Sequence, residues 1–157
     1  MADTFSQISI HIVFAVKKRE ALINHTWENR LYRYITGIVQ ERKHKMLAIN
    51  GMPDHIHIFI GMDPAESLSS LVREVKKAST RYINQKGFVP GKFAWQTGYG
   101  AFSYSRSQRP RVCRYIENQK QHHRKRNFEQ EYRKMLDDYD IEIGRKEVFD
   151  FFRPDDA

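Results

Sequence analysis

The sequence predicts an α+β fold, a ferredoxin-like split βαβ arrangement with element order β-α-β-β-α-β and one more helix behind it. Three observations lead there. Apolar residues alternate with period two over residues 8–16 and again over 55–60, as half-buried strands do. They recur with helical spacing between about Thr26 and Lys43 and between Ser67 and Gly87. Between the second and third strands lies Asn50-Gly51-Met52-Pro53-Asp54, a strong turn signal. At 157 residues, 40% of them hydrophobic, the chain suits a single domain with a core of ordinary size.

Each element has its own justification. Ile8, Ile10, Ile12, Phe14 and Val16 form one side of the first strand, with Ser9 and His11 on the other. Asn24 or Thr26 can cap the first helix, whose apolar stripe is Trp27, Leu31, Tyr34, Ile35, Ile38 and Val39. Lys45 to Ile49 reads as the second strand and His55 to Ile60 as the third, stopped by Gly61. Ser67 opens the second helix, which buries Leu68, Leu71, Val72, Val75, Ser79 and Tyr82 on one side. Phe88 to Gly98 is loop, and Tyr99 to Ser105 is a short fourth strand. A third helix carries Pro110 in its first turn and is expected to reach about His123 or Arg126. Phe128 to Leu136 is a further amphipathic, helical segment. Two helices then cover one face of the sheet, and the other face is expected to be open.

Charge narrows the partners. Lys and Arg number 27 against 19 Asp and Glu, a net charge of +8, and the pI is near 9.6. Such a balance favours a polyanion, most commonly nucleic acid. Residues 101–130 hold eight basic side chains and two acidic ones, whereas residues 131–157 hold five and nine, so the basic density peaks around Arg106 to Arg126. The single cysteine, Cys113, excludes an internal disulfide framework and an all-cysteine zinc site. No apolar stretch is long enough for a membrane span, and Met1-Ala2-Asp3-Thr4 lacks the features of a signal peptide. A cytoplasmic protein without a membrane partner is expected.

Two constellations could carry chemistry. In His55-Ile56-His57 the imidazoles sit at i and i+2 of a strand and project from the same face, opposite Ile56, Ile58 and Ile60. That is a reachable pair of metal ligands, or equally two polar residues on the solvent side of a strand. Tyr115 and Gln119 lie one helical turn apart, so a phenol and an amide oxygen could address one phosphate. Alone, the same pair reads as a core aromatic and a solvated neighbour.

Taken together, these pieces resemble the HUH-type single-tyrosine transposases of bacterial insertion sequences. The matching residues are His11-Ile12-Val13-Phe14, then Gly51-Met52-Pro53-Asp54-His55-Ile56-His57-Ile58. They continue with Trp95-Gln96-Thr97-Gly98-Tyr99-Gly100-Ala101-Phe102-Ser103 and with Tyr115-Ile116-Glu117-Asn118-Gln119-Lys120-Gln121-His122-His123. The resemblance spans about Ser9 to Leu136. It implies that His55, His57 and Gln119 hold a divalent metal, Mg²⁺ or Mn²⁺, although histidine ligands alone would suggest zinc or another borderline ion. It implies that Tyr115 attacks the DNA backbone, leaving a 5′-phosphotyrosine and a free 3′-hydroxyl. It further implies single-stranded DNA with hairpins at the element ends as substrate, cleavage sites chosen by short guide sequences, and a homodimer in which the tyrosine helix acts in trans. No phosphate-binding P-loop is present, so no nucleotide cofactor is expected, in keeping with a transesterification that needs no ATP.

On this reading residues 1–127 form the catalytic domain, and 128–157 form a helical, acidic extension of the same domain. Arg106, Arg109, Arg111, Arg114, Lys120, Arg124, Lys125 and Arg126 flank Tyr115 and are candidate phosphate contacts; the alternative is a solvated helix face. Arg73, Lys76, Lys77 and Arg81 form a second, weaker basic set. His11, His122 and His123 are candidates to support the metal site or touch DNA. Trp95, Tyr99, Phe102 and Tyr104 could stack on bases or pack in the core. Three further functions compete with an active transposase: a domesticated hairpin-DNA-binding protein, a host enzyme that processes palindromes, and a metal hydrolase using His55 and His57. The last lacks an evident acid–base pair.

Overall fold

The computed structural model describes residues 4–122 and 127–139, with His122 as backbone only. Strands β1 (Ser9–Ala15), β2 (Lys45–Met52), β3 (His55–Gly61) and β4 (Gly100–Tyr104) form one antiparallel sheet in the order β2-β3-β1-β4. Helices α1 (Glu28–Glu41) and α2 (Leu68–Lys86) follow β1 and β3, which gives the split βαβ order expected. Behind β4 come α3 (Arg109–Glu117), the short α4 (Gln119–His122) and α5 (Phe128–Asp138). Among the described residues no helix is long and apolar enough to cross a membrane.

Local chemistry sets the ends of the elements. The Ser67 hydroxyl accepts from the Ser70 amide at 3.1 Å and starts α2, while Gly87 ends it in the left-handed region at φ 64°. β2 runs on to Met52, beyond the expected end at Ile49, so Pro53 and Asp54 alone make the turn to β3. Gly51 is needed beside that turn, because a Cβ there would lie 2.4 Å from the His55 carbonyl oxygen. Before α5, Asn127 accepts from the Gln130 amide at 2.9 Å, and Gln130 returns a bond to the Asn127 amide at 3.1 Å.

The main core lies between the sheet and the α1/α2 layer, where Ile12, Phe14, Ile56, Ile58 and Ile60 meet Leu31, Ile35, Val39, Leu71, Val72 and Val75. Each such side chain contributes about 1.5–3 kcal/mol on full burial. The opposite sheet face, expected to be open, is covered. Val13, Ala15 and Phe102 pack under Phe128, Tyr132, Met135 and Leu136 of α5, and Ala48 and Phe59 pack under Val112 and Ile116 of α3. The reason is in the strands: this face carries Val13, Ala15, Phe59 and Phe102 as well as histidines, and apolar surface of that extent is driven out of water.

The third helix also differs from expectation. It ends at Glu117 instead of running to His123 or Arg126, with Asn118 at φ −96°, ψ 19°. The Asn50 side-chain amide donates to the Glu117 carbonyl at 3.0 Å and so satisfies the helix end. The short α4 begins immediately after Asn118, at Gln119.

Candidate active site

His55 and His57 project from β3 toward α5, and both are fully buried. Each ring is held through its Nδ1. His55 Nδ1 lies 2.7 Å from Asp54 Oδ1, and Arg19 donates to the other Asp54 oxygen at 3.1 and 2.7 Å. His57 Nδ1 lies 2.8 Å from His11 Nε2, across the sheet on β1. The Nε2 atoms converge on one oxygen of Glu131 in α5, with His57 at 3.0 Å and His55 at 3.6 Å from Oε1.

Tyr115 and Gln119 meet the other oxygen of that carboxylate. The Tyr115 hydroxyl donates to Glu131 Oε2, and Gln119 Nε2 donates to the same atom at 3.2 Å. α3 is fastened for this by Arg109, whose Nε donates to Ser9 Oγ at 2.7 Å, and by Val112 and Ile116 against the sheet. Lys120 fastens α4: its ammonium donates to Glu28 at 3.0 Å and to the Gly51 carbonyl. Tyr115 and Gln119 therefore converge across a helix break, not along one helical face.

The electrostatics follow from burial and this one carboxylate. Burial works against the charge on Asp54, yet hydrogen bonds from His55 and Arg19 outweigh it and bring its pKa down to about 2. Burial also opposes the His55 imidazolium, but Asp54 and Glu131 raise its pKa above the usual value. Burial and the neighbouring His57 push His11 well down, which keeps it neutral and able to accept from His57 Nδ1–H. Burial, then the charge and hydrogen bond of Glu131, push the Tyr115 phenol up, so the hydroxyl keeps its proton.

The residues fit a divalent cation. The ligand atoms of His55, His57 and Glu131 lie within 4.8 Å of one another. The Asp54–His55 contact is the carboxylate–histidine pairing that orients metal-binding imidazoles. The side-chain oxygen of Gln119 is buried without a hydrogen-bond partner among the described residues, as a ligand awaiting a cation would be. Glu131 adds an anionic oxygen donor to what the sequence alone offered as two imidazoles and an amide.

Other expected residues fall variously. Arg106, Arg111 and Arg114 are exposed, and Arg111 and Arg114 line the same cavity as Tyr115. Arg73 and Lys77 are exposed on α2, which lies on the far side of the sheet from Tyr115. Lys76 turns inward: its ammonium donates to the carbonyls of Gln96 at 2.7 Å and Gly98. Of the candidate aromatics, Trp95 and Phe102 are core residues. The His122 side chain, His123, Arg124, Lys125 and Arg126 lie outside the described residues, as does the tail beyond Tyr139. Glu131 is the candidate site residue that sequence reasoning missed. Its signal was an acid at i+3 from Phe128, inside the stripe Phe128, Tyr132, Met135 of an amphipathic helix.

A His-x-His strand and a tyrosine helix on one face of a four-stranded antiparallel sheet make the arrangement of a single-tyrosine transposase. The chain belongs to the IS200-like transposase family, whose model matches residues 4–119, and it is accordingly a tyrosine transposase enzyme. It is 25% identical over 118 residues to the ISDra2 transposase TnpA of Deinococcus radiodurans, covering 72% of this chain and 84% of that one. A crystal structure of a candidate transposase from Deinococcus radiodurans R1 superposes with a TM-score of 0.58 at 23% identity, over 76% of this chain and 95% of the other. A REP-associated tyrosine transposase bound to a REP hairpin superposes with a TM-score of 0.55 at 17% identity, over 75% and 72%. At those identities the two structures attest the fold. The family match ends at Gln119, so α5 and Glu131 lie beyond it.

Proposed function

We propose that this transposase cuts and rejoins single-stranded DNA beside a hairpin, in the cytoplasm, with Tyr115 as nucleophile. The observation that carries the reading is the two-sided contact of Glu131, one oxygen toward His55 and His57 and the other on the Tyr115 hydroxyl. In the step proposed, the Tyr115 Oη–P bond forms as the P–O3′ bond breaks. The phenol proton passes to Glu131 Oε2, and the departing O3′ takes up a proton from water to become a 3′-hydroxyl. Rejoining is the reverse attack by a 3′-hydroxyl on the phosphotyrosine, so bond energy is conserved. His55, His57, Gln119 and Glu131 would hold Mg²⁺ or Mn²⁺, whose chemistry there is to offset negative charge developing on the phosphate oxygens. Asp54 and His11 keep the two imidazoles in the tautomer and orientation that this requires.

The hairpin substrate is supported by the structural relative that is bound to one. Arg111 and Arg114, which share a cavity wall with Tyr115, and the exposed Arg106 could follow the strand; Arg124 and Lys125 are proposed to extend that set. The proposed homodimer exchanges the tyrosine helix between subunits. The test uses labelled single strands from the DNA flanking the gene, with Mg²⁺ or Mn²⁺, on a denaturing gel. A covalent protein–DNA adduct is expected, absent in Tyr115→Phe and after chelation. Hairpin binding without any adduct, on both strands and with both metals, would favour the non-catalytic hairpin binder instead.

A further inference from the structure

We infer that the cleft between α3 and α5 is the seat of the deoxynucleotide on the 3′ side of the scissile phosphate, the one left joined to Tyr115. This rests on the proposed attack by Tyr115. The imidazoles and Gln119 are fully buried beneath α5, so the strand has no approach to them through the sheet or the helix. Tyr115, by contrast, is half-buried and forms part of the wall of a cavity of about 490 Å³ that opens between the two helices. That volume lies within the range of small-ligand sites and admits a single nucleotide.

Chemistry as well as space selects the occupant. A 5′-phosphotyrosine ties the nucleoside to Oη through P, O5′ and C5′ alone, so its sugar and base must occupy whatever room adjoins the hydroxyl. The cleft supplies what such a unit needs. Arg111 and Arg114, at i and i+3 on α3, and Lys134 on α5 present cations from both walls. The Lys134–Asp138 ion pair at 3.1 Å is half exposed on both sides and is cheaply exchanged for a phosphate. Tyr104 and Met135 give an apolar surface against which a base can lie without sequence preference. Three cations against two carboxylates, Glu131 and the ion-paired Asp138, around an apolar floor suit a nucleotide better than a free anion or a purely apolar ligand.

Strands that give the Tyr115 adduct identify the cut, and 5-iododeoxyuridine is then placed at the nucleotide immediately 3′ of it. Irradiated with Tyr115→Phe protein, which binds without cutting, the probe is expected to cross-link to Tyr104, to residues 111–115 or to residues 131–138. Cross-links confined to other elements, or none, would overturn the assignment. A second measurement fills the cleft by Met135→Trp. Adduct yield should fall at least tenfold with the ordinary strand and recover when that nucleotide is abasic; equal yields on the two strands, whether high or low, count against the cleft. If the unaltered protein forms no adduct on any strand, cleavage by Tyr115 itself is lost and this inference goes with it. An adduct with cross-links elsewhere removes only the cleft.

Discussion

Glu131 divides its two oxygens between a pair of imidazoles and a phenol, and removing only its charge should separate those duties. In Glu131→Gln the amide keeps the shape and can still accept from Tyr115. Folding stability is therefore expected to change by less than about 2 kcal/mol in urea unfolding. Mn²⁺ affinity, measured by calorimetry without DNA, is expected to fall at least about tenfold, because an anionic ligand is lost. An unchanged affinity would leave Glu131 outside the metal site. A second carboxylate tests pH. Glu66 is held down to about 2 by the Arg42 hydrogen bond, against opposing burial, with help from His44 and Ser70. Its contribution is therefore present above its ordinary value of 4.5 and is lost as pH falls toward about 2. The pair is partly exposed, so Glu66→Gln should cost only about 1 kcal/mol at pH 7, and in urea titrations the gap to the unaltered protein should narrow below pH 4.5 and close near pH 2.

At the scale of elements, α5 makes the site what it is, by covering a sheet face and delivering Glu131. Gly100 on β4 is a point of close approach to that helix. A Cβ there would lie 2.5 Å from the Tyr132 hydroxyl and 2.8 and 3.0 Å from ring carbons. Gly100→Ala should cost about 1–3 kcal/mol and weaken Mn²⁺ binding, since Tyr132 follows Glu131 directly. In a Tyr132→Ala background the same change should cost far less, a non-additivity that reports the contact. The strands and the first two helices were legible because alternation and helical spacing are local signals. His55 and His57 could be assigned to one face for the same reason. What covers that face was not legible. Periodicity in α5 says that Phe128, Tyr132 and Met135 turn inward, but not onto which surface, and a lone acid among them looks like a flaw in the stripe until β3 lies beneath it. The helix break at Asn118 was hidden likewise, because the bond that satisfies the helix end there comes from Asn50, far off in sequence on β2.

For the whole molecule the question is which chain's tyrosine serves which histidines. Tyr115, Gln119 and Glu131 all follow the connection at residues 105–108, whereas His11, Asp54, His55 and His57 all precede it. Every bond between the two groups would survive if that connection carried α3 to α5 onto a second copy: Arg109 to Ser9, Asn50 to Glu117, Lys120 to Glu28, and Glu131 to the imidazoles. Exchange of this kind makes no new chemistry and gives up only bonds within the connection itself, such as those between Ser105 and Gln108, which is why it is a low-cost route to a dimer. Mixing the two inactive variants, His57→Ala and Tyr115→Phe, tests the proposed exchange. Random pairing puts half the dimers in the mixed form, and each mixed dimer holds one intact site out of two. Adduct yield should therefore return to about a quarter of that of the unaltered protein. The label should sit on the His57→Ala chain, because that chain supplies the tyrosine. No recovery after prolonged mixing, with mixed dimers confirmed by mass, would mean that each chain completes its own site.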